Sequence, residues 1–131
     1  MPLHLTKIAY GATSVAALRE WLASEPGEAR TSTRYLPRRH DELAGGSLYW
    51  IHDHVIVGRS PLIGFARRDD GRWWIRLEPR LVAVRPLARR AHQGWRYLDP
   101  DKAPADLGDG EIAGDALPGR LVGRLAKLGL V

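Results

Sequence analysis

The segment Arg89–Leu98 combines cationic and aromatic side chains in an unusual mixture. Ten residues hold three arginines, a histidine, a glutamine, a tyrosine and Trp95. Arginine neutralises phosphates and an aromatic ring stacks on a base, so the mixture suits single-stranded nucleic acid. We interpret Arg89, Arg90 and Arg96 as phosphate contacts. The alternative is that the aromatic rings enter the core while the arginines are solvated.

A second basic cluster runs from Arg34 to His40 and includes Tyr35. Pro37 ends the strand expected before it and projects Arg38 and Arg39 from a loop, where binding residues concentrate. A solvated run of charge is the alternative interpretation.

Two expected strands carry aromatic residues on both faces. Tyr49, Trp50 and His52 lie in the first, and Trp73 and Trp74 are adjacent in the second. Neighbouring strand residues point to opposite faces, so at most one face of each strand can be core. An exposed ring would be a stacking platform or an anchor for a protein partner.

Catalytic and metal-binding patterns are weaker. Thr6 and Lys7 with a distant carboxylate such as Glu78 could form a small acid–base site, although their spacing does not require it. The run His52–His54 has ligand-type side chains, but a hairpin turn explains it better than a metal site. No phosphate-binding glycine loop is present, so nucleoside-triphosphate and dinucleotide binding have no support. We expect no metal and no cofactor.

The charge is unevenly distributed along the chain. The formal net charge is +5, and 14 of the 17 arginines lie between Arg30 and Arg96 against only six acidic residues. An acidic stretch follows, from Asp99 to Leu117. A basic block on a folded core indicates a polyanionic partner such as RNA. A GC-rich genome is the alternative explanation for the arginine bias.

Length and composition limit the remaining classes. A chain of 131 residues with 44% hydrophobic content predicts one domain over 1–131. The sequence has no cysteine, which excludes disulfides, zinc–thiolate sites and thiol nucleophiles. It has no run of about 20 apolar residues and no secretion-type N-terminus, so we expect a cytoplasmic protein without a membrane span.

Short strands with turn signals between them dominate the expected elements. The strands are predicted at Leu3–Ala9, Thr31–Leu36, Ser47–His52, Val55–Val57, Leu62–Arg67, Trp73–Ile75 and Leu81–Val84. Asp53-His54 and Asp70-Gly71 are the expected hairpin turns.

Helices are expected near both ends of the chain. Ser14 is a suitable N-cap for a helix that buries Val15, Leu18, Trp21 and Leu22. Pro118 begins a second helix that Gly129 ends. The fold class is therefore α+β: a small, mostly antiparallel β-barrel flanked by an N-terminal and a C-terminal helix.

Four segments resemble a bacterial domain-of-unknown-function family that is known mainly from alphaproteobacteria. They are Leu3–Lys7, Asp41–Trp50, Gln93–Leu98 and Ala103–Leu107, and they contain the strings GGSLYW and QGWRYL. The resemblance covers almost the whole chain and implies no particular activity.

A more distant resemblance is to the PUA-like barrels, especially the EVE and ASCH groups. It rests on an Arg-and-Tyr segment before Gly45-Gly46, the aromatic strand after these glycines, the strand Leu62–Ala66 and the Arg-rich sequence Leu81–Arg90. It implies a PUA-like domain with a cleft that binds RNA or a modified base. By position, the cleft residues would be Arg34, Tyr35, Arg38, Tyr49, Trp50 and His52.

This sequence departs from the EVE pattern at Pro37 and the Arg-Arg-His run after it, which puts modified-base specificity in doubt. An ASCH-type amidohydrolase uses a Lys, a Thr and a Glu. Lys7, Thr6 and Glu78 are residues of these types, without an alignment to that motif.

The combined prediction is a non-catalytic RNA-binding module. Phosphate contacts are assigned to Arg38, Arg39, Arg89, Arg90 and Arg96, and base stacking to Trp50, Trp95 or Tyr35. Arg34 or His52 would read a base edge. The alternatives are a small hydrolase of modified nucleosides, which would depend on Lys7, and a protein-interaction module anchored by Trp73 or Trp74.

Overall fold

The computed structural model describes residues 2–9 and 11–107, which form a mostly β fold with one α-helix. The helix is α1 (Val15–Ser24). The strands are β1 (His4–Ile8), β2 (Ala29–Thr33), β3 (Ser47–His52), β4 (Val55–Arg67), β5 (Trp73–Leu77), β6 (Val82–Ala88) and β7 (Trp95–Leu98). Short 3-10 helices occupy His40–Leu43 and Pro100–Lys102.

The helix α1 begins as its sequence predicts. The Ser14 hydroxyl oxygen accepts a hydrogen bond from the Ala17 backbone N–H at 3.0 Å, and Val15, Leu18 and Leu22 are buried. Trp21, expected on the same buried face, is instead 37% exposed at the margin of that face. Within the described residues, no helix is both long and apolar enough to cross a membrane. The helix predicted from Pro118 to Gly129 lies outside the described residues.

The seven strands form one mixed sheet rather than a closed barrel, so the barrel prediction is wrong. The strand order is β2-β5-β4-β3-β1-β7, with β6 paired to β4 beside that path. In the described part of the chain β2 pairs only with β5 and β7 only with β1, so the two end strands of the sheet do not pair with each other. Strand spacing along the sequence predicts six of these strands, with β4 divided in two, but it does not predict β7. Closure depends on which edges pair.

The long strand β4 joins two parts of the sheet. Its first half pairs with β3 and β6, and its second half pairs with β5. Register irregularities between Ile56 and Gly58 and between Leu62 and Gly64 bend the strand between these partners. The sequence prediction divided this strand into two, Val55–Val57 and Leu62–Arg67.

Both predicted hairpin turns are confirmed. Asp53 and His54 adopt left-handed φ angles of 50° and 62° and connect β3 to β4 in two residues, as a type I′ turn requires. The β4–β5 hairpin closes with the Arg68 N–H donating to the Arg72 carbonyl at 2.8 Å. Gly71 supplies the φ of +86° in that turn.

Alternating side chains give the sheet a hydrophobic core on each face. Leu5, Leu48 and Trp50 belong to the larger core, with α1 packed against it, while Tyr49 and Ile51 belong to the smaller one. β1 pairs in parallel with β3 and antiparallel with β7, which places it one strand from the sheet edge. This position brings the polar residues of β1 to the site described next.

Candidate nucleic-acid interface

Two basic hollows lie on opposite faces of the edge strand β7. One, the Lys7 cleft, is about 630 Å³ and is lined by Lys7, Ser32, Thr33, Arg34, Tyr35, Arg72, Gln93, Gly94 and Trp95. The other, the arginine hollow, is about 510 Å³ and is lined by Arg89, Arg90, Ala91, His92 and Arg96. Trp95 and Arg96 are neighbours in β7 and therefore point to opposite faces. His92 lines the arginine hollow, and the next residue, Gln93, lines the Lys7 cleft.

Every charged side chain that lines these hollows in the described part of the chain is basic. The Lys7 cleft has Lys7, Arg34 and Arg72, and the arginine hollow has Arg89, Arg90 and Arg96. Cationic walls on both sides of one strand create a positive potential around the sheet edge.

Lys7 is held at the cleft wall by the sheet itself. It pairs with Trp50 of β3 on one side and Trp95 of β7 on the other, and only 7% of the residue is exposed. Burial lowers the pKa of the Lys7 ammonium, and the positive charge of Arg72 lowers it further. The same cleft therefore combines fixed guanidinium charges with an amine that is less basic than usual.

A histidine fixes the segment between β6 and β7. His92 Nε2 lies 2.7 Å from the Thr6 hydroxyl oxygen, which is fully buried in β1. Burial lowers the pKa of His92, and the positive charges of Arg96, Arg89 and Lys7 lower it further. A neutral ring suits this position because the surroundings are already positive.

The β3–β4 turn holds the other end of the segment. The His54 carbonyl accepts from the Arg89 N–H at 2.8 Å, and His54 Nδ1 accepts from the Ala91 N–H at 3.3 Å. Arg89 and Arg90 therefore project from a backbone anchored at both ends, by His54 and by His92. Such anchoring reduces the conformational entropy that binding would otherwise cost.

Six of the predicted binding residues line one hollow or the other. Arg34, Tyr35 and Trp95 line the Lys7 cleft, and Arg89, Arg90 and Arg96 line the arginine hollow. Tyr35 is 68% exposed. The Trp95 ring is half-buried, with its centroid 4.9 Å from that of Tyr97. The structure thus brings together two clusters that are more than 50 residues apart in the sequence.

Arg38 and Arg39 are exposed on the surface and line neither hollow. The Arg39 guanidinium donates to both carboxylate oxygens of Glu42, at 2.7 and 2.8 Å, and lies 5.3 Å from the centre of the Tyr97 ring. Its charge is therefore already used to hold the 3-10 helix His40–Leu43 against β7.

Tyr49, Trp50 and His52 also fall outside the hollows, which corrects the expectation that they form an open cleft. Tyr49 and Trp50 are only 4% and 3% exposed. The Trp50 indole N–H donates to the Ser60 hydroxyl at 2.9 Å. The His52 ring is largely buried, with Nε2 3.5 Å from the Asp53 carboxylate. β3 is a central strand with a core on each face, so both of its aromatic faces are covered.

The residues of the predicted acid–base site do not meet. Thr6 and Lys7 are adjacent in β1 and point to opposite faces, and the Glu78 carboxylate pairs with Arg80 at 3.1 Å. The buried Thr6 hydroxyl contacts His92 and positions its ring. Thr6, Lys7 and Glu78 therefore do not form the shared acid–base site that the hydrolase hypothesis requires.

Trp73 and Trp74 are both partly buried. The Arg68 guanidinium lies 4.4 Å from the centre of the Trp74 ring and covers it. The large hydrophobic residues that are exposed in the described part of the chain are instead Trp21, Tyr35, Ile63 and Leu87. The protein-interaction hypothesis therefore loses the anchors that the sequence suggested.

Arg72 and Gln93 are site residues that sequence reasoning did not single out. Arg72 reaches the cleft because the Asp70-Gly71 turn returns the chain beside β2, and Gln93 because the anchored β6–β7 segment crosses the sheet edge. The Asp70-Gly71 hairpin turn was visible in the sequence. The pairing of β5 with β2, which brings Arg72 to the cleft, was not.

Fold and site together define a mostly β protein with a basic surface around one sheet edge. The chain belongs to the family described as "Protein of unknown function (DUF1489)", which it matches over residues 5–131. No curated protein and no solved structure matches the sequence. The family resemblance seen in the sequence is thereby confirmed, whereas the PUA-like resemblance has no support from these comparisons.

Proposed function

We propose that this protein binds single-stranded RNA along a surface that wraps the edge strand β7. The observation that carries the proposal is that all the charged residues lining both hollows, in the described part of the chain, are basic. Phosphate contacts dominate nucleic-acid affinity, and arginine supplies them with a planar pair of donors. The cytoplasmic location expected from the sequence is part of this proposal.

The two hollows would have different roles. Arg89, Arg90 and Arg96 line a hollow that contains no Phe, Tyr or Trp side chain among its described lining residues, which suits contact with the phosphate backbone. The Lys7 cleft adds Tyr35 and Trp95, whose rings can stack on a base. A strand that passes around the sheet edge would therefore place phosphates on one face of β7 and a base on the other.

The geometry favours a single strand over a duplex. A ligand must turn around one edge strand to reach both hollows, and unpaired nucleotides do so at lower cost than a stiff helix. Ser32 and Gln93 line the Lys7 cleft and can hydrogen-bond to a ribose 2′-hydroxyl, which distinguishes RNA from DNA.

Fluorescence anisotropy with labelled single-stranded RNA, duplex RNA and single-stranded DNA of one length tests this proposal. We expect the tightest binding to single-stranded RNA, with affinity falling steeply as salt increases. Absence of binding at low salt, or equal affinity for the duplex, would contradict it.

A further inference from the structure

We propose that Lys7 is a reactive amine that forms an imine with an aldehyde carried next to a phosphate group. Lys7 lines the cleft together with Arg34 and Arg72, so an anionic ligand held by the two guanidinium groups meets the lysine side chain. Phosphate recognition by arginine is bidentate and directional, which fixes the rest of the ligand relative to Lys7.

The surroundings of Lys7 are those of activated lysines. Only 7% of the residue is exposed, because it lies in β1 between Trp50 and Trp95. Its lowered pKa increases the fraction of neutral amine, the form that attacks carbonyl groups. The exposed Lys102, in the 3-10 helix Pro100–Lys102, lies outside the cleft and offers a comparison within the same chain.

The chemistry balances without an oxidant or a cofactor. The amine lone pair attacks the aldehyde carbon, and a proton moves from nitrogen to the former carbonyl oxygen to give a carbinolamine. Loss of that oxygen as water forms the C=N bond. Borohydride adds hydride to the imine carbon while water supplies a proton to nitrogen, so the reversible link becomes a stable secondary amine.

Two ligand sources share this chemistry. One is a small phosphorylated aldehyde. The other is the ring-opened sugar of an abasic nucleotide, whose aldehyde lies between backbone phosphates. The second source deepens the proposed function and rests on it, whereas the first does not require RNA binding.

Borohydride trapping followed by peptide mass spectrometry tests the inference on the full chain. The probe is glyceraldehyde 3-phosphate, and glyceraldehyde is the matched control without phosphate. We expect Lys7 to gain the mass of the probe less one oxygen atom, and to react at least about tenfold faster with the phosphorylated probe, the factor expected from one charge-assisted contact.

Variants separate reactivity from folding. Lys7→Arg keeps the charge but cannot form the imine, so labelling at this position should disappear, whereas Lys102→Arg should leave it unchanged. Arg34→Gln should slow the phosphorylated probe selectively. If Lys7→Arg does not fold, the test still stands, because mass spectrometry locates the labelled lysine in the unmodified protein. Equal labelling of Lys7 and Lys102, or no difference between the two probes, would overturn the proposal.

A parallel arm uses single-stranded RNA and DNA oligonucleotides that contain one abasic site. A trapped complex at Lys7 with either oligonucleotide supports the inference and identifies nucleic acid as a source of the aldehyde. No adduct at Lys7 with any probe, small or oligonucleotide, overturns it. Binding of intact RNA is measured separately, so failure of trapping is distinguishable from failure of RNA binding.

Discussion

Trp50 shows why a residue's type does not decide its role. Its ring is suited to base stacking, yet the indole N–H donates to the Ser60 hydroxyl, which in turn donates to the Arg80 carbonyl at 2.9 Å. The Ser60 side chain is fully buried. This chain of hydrogen bonds connects β3 and β4 to the loop before β6 and makes Trp50 a core residue.

Ser60→Ala should therefore lower the free energy of unfolding by about 1–3 kcal/mol, because the buried Trp50 N–H and Arg80 carbonyl both lose their partner. Urea denaturation measures this loss. Ser24→Ala is the matched control, since the Ser24 hydroxyl bonds the Trp21 carbonyl in an exposed position and its removal should change stability by less than about 0.5 kcal/mol. Equal effects of the two substitutions would contradict the buried role of Ser60.

Glu28 gives a pH-dependent prediction at the same scale. Its carboxylate accepts from Arg76 at 2.8 Å through both oxygens and from Arg30 at 2.9 Å. These hydrogen bonds lower the pKa of Glu28 from 4.5 to about 2. Because the folded-state pKa is depressed, the stabilisation is complete above pH 4.5 and is lost as pH falls towards 2.

Glu28→Gln should remove this part of the pH dependence and reduce stability at neutral pH. Urea unfolding at several pH values between 2 and 4.5 measures the effect, and an NMR titration should place the Glu28 midpoint near 2. If the substituted protein kept the pH profile of the unmodified one in this range, the assignment to Glu28 would be wrong.

At the scale of elements, one glycine sets how closely β1 approaches the start of β3. A Cβ atom on Gly46 would clash with the Leu3 carbonyl oxygen and would lie 3.1 Å from the Leu43 carbonyl oxygen. The Gly46 N–H donates to that Leu43 carbonyl at 2.8 Å, and its own carbonyl accepts from the Leu62 N–H at 3.0 Å. The close approach of β1 to β3, and so the position of Lys7, depends on this glycine.

Gly46→Ala should destabilise the fold by about 1–3 kcal/mol or more, because the new methyl group meets backbone atoms that cannot move separately. Gly64→Ala is a suitable control, since the nearest atom to its Cβ would be a terminal nitrogen of Arg76 at 3.9 Å. Thermal and urea unfolding measure the loss of stability in each variant, which should be larger for Gly46→Ala than for Gly64→Ala. Similar stability of the two would show that β1 can shift to admit a side chain.

Local signals made several elements predictable. Alternation in Ser47–His52, the Ser14 N-cap and the two hairpin turns all correspond to the structure, because each depends on residues close in sequence. The boundaries of β2 and the continuity of β4 were missed, since both depend on pairing with β5. The strand β7 was missed because it forms by pairing with β1, which is distant in the sequence. The open sheet was missed for the same reason.

The candidate site was predictable only in part. Charge and aromatic content identified Arg34, Tyr35 and Trp95, which share the Lys7 cleft. Burial excluded Tyr49 and Trp50, because residue type does not tell which faces of a central strand are covered. The arginine pairs that neutralise acidic residues, such as that of Arg39 with Glu42, were also invisible in the sequence.

At the scale of the whole molecule, two groups of arginines differ in their surroundings: those that pair with carboxylates and those that line the two hollows. Arg59, Arg76 and Arg80 pair with carboxylates. The arginines that line the two hollows surround β7, where the described lining residues include no carboxylate. A net charge of +5 therefore understates the local potential at this edge.

The salt dependence of RNA binding tests this account most directly. Anisotropy titrations over a salt series compare the unmodified protein with Arg89→Ala/Arg90→Ala and with Arg19→Ala/Arg80→Ala, which removes the same charge away from both hollows. The first pair should weaken binding and reduce the log–log slope by up to about 0.7 for each lost phosphate contact. The second pair should leave the slope unchanged. Equal slopes for all three proteins would contradict a binding surface around β7.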